Sequence, residues 1–112
     1  MFLILAAQLA AASPAPNGIS DQDRVTSTEV LAYAQWRSCV LKVTHHKSRS
    51  IKDHGAVADV AIVECGTKEA NYGSSLTSLA QLYRLKDPGE FARRNVDQAR
   101  KTLHDMAMKE LE

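Results

Sequence analysis

Cys39 and Cys65 are the chain's two cysteines, and their separation of 26 constrains the fold more than any other feature. Their midpoint falls at residue 52, inside Ser48-Arg49-Ser50-Ile51-Lys52, a stretch whose composition reads as a turn. Asp53 follows directly and is suited to cap a new helix, because its carboxylate can accept the free amide hydrogens of a first turn. In an antiparallel helical hairpin, residues equidistant from the turn face each other near the separation a disulfide requires. The turn and the cysteines are independent features, and together they predict a Cys39–Cys65 bridge between neighbouring antiparallel helices. In the chain-entropy model, closing that loop stabilises the fold by about 3.5 kcal/mol. A redox-active pair is the weaker alternative, because catalytic dithiols usually sit close together at a helix start. A metal site is weaker still, since neither cysteine has a second soft ligand within two to four positions.

Such a staple matters because the chain is short. With 112 residues, 45% hydrophobic content and a net charge of +1, it fits one compact domain. A chain of this length buries only about 60–65% of its unfolded surface, so its core is thin. Near-neutral net charge gives no global pull toward a polyanion. Only 5% of residues are aromatic and they are not interleaved with cations, which argues against a base-stacking surface and a nucleic-acid partner.

Residues 1–12 are almost wholly apolar and uncharged, end in Ala10-Ala11-Ala12, and precede Ser13-Pro14-Ala15-Pro16-Asn17-Gly18. They read as a signal peptide although no basic residue precedes the apolar run, and they are too short for a transmembrane anchor across about 30 Å of hydrocarbon. The expected destination is outside the cytoplasm, periplasmic or secreted, where a disulfide persists. Residues 13–25, with Pro14, Pro16 and Gly18, read as a flexible leader, and residues 26–112 as a single helical domain.

Beyond the leader, apolar residues recur at helical spacing and no alternating strand pattern is visible, so the expected class is all-α, a small bundle of three to four helices. A first helix is expected from Thr26, which has capping-box spacing to Glu29, to about Lys47, with Val30, Tyr33, Trp36, Val40 and Val43 as its apolar face. The second carries Ala58, Ala61, Ile62, Cys65 and Tyr72 down one side, with Gly66 as a weak point. Gly73-Ser74-Ser75 punctuates the chain before a short third helix ending near Leu85, with a third helix continuous with the second as the alternative. Asp87-Pro88-Gly89-Glu90 combines an N-cap acid, a proline at the first helical position and an acid in the first turn. It opens what should be the longest helix, with Ala92, Val96, Ala99, Leu103 and Met106 as its seam.

The candidate site is the hairpin tip. Lys42, His45, His46, Lys47, Arg49, Lys52 and His54 crowd it, and no acid occurs between Arg37 and Lys52. A basic tip suits an anionic envelope surface or an acidic protein, more so when the histidines are protonated. The blander interpretation is a solvated helix end whose cations suit the C-terminal dipole. His104 and Met108, four apart with Met106 between, resemble a copper-type nitrogen and sulfur set, but Met106 falls on the hydrophobic seam. Tyr33, Trp36 and Tyr72 could line a shallow groove and more often would be core. Gly73-Ser74-Ser75 is no nucleophile elbow, and Asp53, Asp59, Glu64 and Glu69 read as caps and solvated faces. No catalytic residue, metal-ligand set or cofactor is assigned. The expectation is therefore a non-enzymatic binding protein of the cell envelope, with a small-molecule or metal-ion carrier as the alternative.

Overall fold

The structure, a computed structural model, describes residues 20–112, so the expected signal peptide and most of the expected leader lie outside the described residues. The described residues form an all-α bundle: α1 (Asp21–Lys47), α2 (His54–Glu64), α3 (Gly66–Leu82) and α4 (Pro88–Glu110). α1 runs one way, α2 and α3 together form a return arm, and α4 runs back along that arm. Cys39 and Cys65 are bonded, with Cα atoms 6.0 Å apart. The same fold-back brings Tyr33 against Tyr72, ring centroids 5.4 Å apart, and lets the Gln22 amide donate to the Tyr83 hydroxyl at 2.6 Å. Each pair is centred near residue 52, so one register holds along the whole hairpin.

α1 begins at Asp21, five residues before the expected start, and is the longest helix at 27 residues against 23 for α4. Ser20 caps it by accepting from the Asp23 amide, and Asp21 and Asp23 place negative charge at the positive end of the dipole. Residues 21–25 are thus helical rather than part of a leader, and Thr26 and Glu29 are interior positions. The buried row is Ala32, Trp36, Val40 and Thr44, a ridge stepping by four, whereas Val30 is 60% exposed. At 3.6 residues per turn Val30 lies about 120° round the helix from Trp36, outside that ridge.

The return arm breaks at Cys65, which is both the last cap of α2 and the first of α3, one residue before the glycine flagged as weak. Gly73-Ser74-Ser75 does not interrupt α3. Ser75 donates its hydroxyl to the Tyr72 carbonyl at 2.7 Å and Thr77 to that of Gly73, so these side chains satisfy themselves on the helix instead of competing with it. Gly73 faces α4, where a Cβ would meet the Val96 side chain at 3.5 Å.

The core joins Trp36, Val40, Ala58, Ala61, Cys65, Tyr72, Leu76 and the α4 seam of Ala92, Val96, Ala99, Leu103 and Ala107. Met106, expected on the seam, packs at its edge. Trp36 is fully enclosed, in contact range of Tyr72 at 5.6 Å, so these two rings are core and Tyr33 packs half-buried against them. Burial, then the nearby Glu29 carboxylate, push the Tyr72 hydroxyl up to about 12. Trp36 Nε1 and Thr44 Oγ1 are buried without a hydrogen-bond partner among the described residues.

α3 ends at Leu82, where Leu85 N–H donates to Ala80 O and Arg84 N–H to Gln81 O, the paired closure of a Schellman motif. That closure needs a left-handed residue, and Arg84 supplies it at φ 57° although it carries a Cβ. Arg84→Gly should therefore raise stability by about 0.5–1 kcal/mol in chemical denaturation, relief of the Cβ clash outweighing the added chain entropy.

Candidate functional site

The tip of the α1/α2 hairpin is built from the last turn of α1, residues 48–53 and the first turn of α2. Ser48 donates its hydroxyl to the His45 carbonyl, and the Ile51 amide donates to the Lys47 carbonyl at 2.9 Å, which closes the turn. Asp53 caps α2 by accepting from the Ala56 amide at 3.2 Å.

Folding divides the seven cations and histidines grouped along the sequence. Lys47 Nζ lies 3.2 Å from a Glu64 carboxylate oxygen on α2, and His45 Nε2 lies 3.3 Å from Glu110 at the end of α4. The acid-free stretch along the chain is therefore not acid-free in space. Lys42 stands on the flank of α1, where it shares a shallow pocket with Cys39 and Lys68. The remaining members, His46, Arg49, Lys52 and His54, are exposed and make no ion pair among the described residues. His46 suits the negative end of α1. His54 opens α2 at its positive end, so a protonated ring there opposes the dipole and a stability argument does not account for it.

His104 and Met108 are separated by their surroundings. His104 Nε2 and Asp59 Oδ1 are 2.8 Å apart, an α4–α2 tie, while Met106 and Met108 pack against the core. Two further grooves flank α4. One of about 410 Å³ runs between α3 and α4 past Glu69, Gly73, Arg93, Asp97 and Arg100. The other, about 480 Å³, runs between α2 and α4 past Asp59, Ile62, Val63 and His104.

Arg100 is the polar centre missed in the sequence. Its guanidinium donates to both Glu69 oxygens at 3.1 and 2.6 Å and to Asp97 at 2.9 Å, and the Glu69 bonds, seconded by Asp97, hold it firmly protonated. Asp59, Glu64 and Glu69 are thus interhelical partners rather than simple solvated acids. The Glu69–Arg100 and Gly73–Val96 contacts share a centre near residue 84, so the symmetry argument used for the cysteines, applied to the turn before Asp87, would have found them.

No helix of the described residues is long and apolar enough to cross a membrane. The chain matches no protein-family model, and comparison with curated proteins and with solved structures finds no match.

The two kinds of charge should separate in thermal unfolding. Arg100→Gln strips partners from Glu69 and Asp97 and should cost about 1–2 kcal/mol, whereas Arg49→Gln and Lys52→Gln, which break no pair, should change stability by less than about 0.5 kcal/mol.

Proposed function

We propose that this is an exported, non-enzymatic protein of the cell envelope that binds an anionic surface through the tip of its stapled hairpin. The observation that carries this reading is the group His46, Arg49, Lys52 and His54, exposed around one turn and without an ion pair among the described residues, while the neighbouring Lys47 and His45 are paired. Arg100, by contrast, is tied across to Glu69 on α3. Charges held free at the end of a rigid hairpin cost little to bring to another surface, because the backbone that presents them is already ordered. Export is supported by the apolar residues 1–12 and by a disulfide of the kind that persists outside the reducing cytoplasm.

A carrier function has one support, the groove between α2 and α4, where Ile62 and the 77% exposed Val63 meet the His104–Asp59 pair. That arrangement offers an apolar wall with one polar corner, the general character of a small-molecule site.

Cosedimentation with vesicles tests the tip directly. Binding should need anionic lipid and weaken as salt rises from about 0.05 to 0.2 M. Arg49→Gln with Lys52→Gln should weaken it about tenfold or more, at about 1 kcal/mol per cation near the surface. Equal binding to neutral vesicles, or capture unchanged in the double variant, would remove the tip as the contact.

A further inference from the structure

The Cys39–Cys65 bridge sits in surroundings that a purely structural disulfide does not require. Cys65 is 1% exposed and caps the start of the 17-residue α3, where no side chain occupies the N-cap acceptor role. The same residue is the last cap of α2, so the positive end of α3 and the negative end of α2 meet there, and what distinguishes this sulfur is its enclosure. Cys39 is only partly buried, and it lines an open surface pocket of about 370 Å³ with Gln35, Ser38, Lys42, Val43 and Lys68. Lys42 and Lys68 each follow a cysteine by three residues on a helix, so each lies on its cysteine's side of the helix, and no acidic residue lines the pocket. The bridge thus has one reachable sulfur under a cationic rim and one enclosed sulfur at a helix start.

We propose that this bridge is a thiol–disulfide exchange site, with Cys39 as the attacked sulfur and Cys65 as the leaving sulfur. The co-reactant is a thiol, small or carried on a protein. Its thiolate attacks Cys39 Sγ in the pocket, a new S–S bond forms there, and the Cys39–Cys65 bond breaks with its electron pair on Cys65. Lys68, three residues further along the chain, offsets that charge until it takes a proton from water. A second thiolate then attacks the co-reactant's sulfur in the mixed disulfide and releases Cys39. The protein gains two electrons and two protons, and the two thiols leave as a disulfide. Which sulfur is attacked follows from access, and here Cys39 lines a surface pocket while Cys65 is enclosed.

The oxidised protein would be incubated with glutathione, which is anionic, and separately with 2-mercaptoethanol, which is neutral, then acid-quenched and mapped by mass spectrometry. Exchange should occur in the folded protein, at a rate unchanged by denaturant below the unfolding transition, with the adduct on Cys39. Lys68→Gln should slow both reagents about threefold, through the leaving thiolate. Lys42→Gln should slow glutathione more than 2-mercaptoethanol, through attraction of the attacking anion. Circular dichroism would confirm that both variants fold. A reaction that tracks global unfolding, an adduct on Cys65, or lysine variants as fast as the parent would overturn the proposal.

Discussion

The antiparallel return of the chain through residues 48–53 is the constraint from which the rest of the structure follows. Because α1 and the α2–α3 arm share one register, a single turn places Cys39 on Cys65, Tyr33 on Tyr72 and Gln22 on Tyr83. The covalent bond at the middle of this ladder removes loop-closure entropy from the unfolded chain, about 3.5 kcal/mol in that model, which is a large share of the stability of a small domain. The bridge also fastens the weakest point of the return arm, since Cys65 is where α2 ends and α3 begins.

α4 then closes the open side of this hairpin by a second fold-back. Its seam of small residues, Ala92, Ala99 and Ala107, lets it lie close to the arm, and Gly73 opposite Val96 serves the same purpose. Arg100 with Glu69 and His104 with Asp59 fix its position laterally. Cations unpaired among the described residues also occur along the helices, at Arg37, Lys68, Lys101 and Lys109, so the tip is set apart by grouping Arg49 and Lys52 with His46 and His54 around one turn rather than by lacking ion pairs.

Much of this was legible because local chemistry and global pattern agree. Asp53 and Asp87 announce helix starts through their side chains alone, and the α4 seam through Val96 and Leu103 is a periodic signal that tertiary context does not alter. The bridge was legible because two cysteines and a turn leave few geometries. The start of α1 was hidden because Pro14, Pro16 and Gly18 cast their character over residues that Ser20 caps into a helix. The break falls where Gly66 marks a weak point, whereas Gly73-Ser74-Ser75 does not interrupt the helix because the Ser75 hydroxyl is satisfied on it. Arg84 in a glycine conformation could not be seen from composition. At the site, residue types identified a basic tip, but the pairing of Lys47 with Glu64 and of His45 with Glu110 depends on how distant segments meet.

The central claim is the register of the fold-back, and a distance measurement tests it most directly. Spin labels at the exposed positions Ser27 and Ser78 lie on opposite arms, equidistant from the turn. Pulsed electron resonance should place them within about 10 Å of helix spacing plus the reach of two label arms. Labels separated by tens of ångströms more, approaching the roughly 75 Å of an uninterrupted helix between those positions, would contradict the fold.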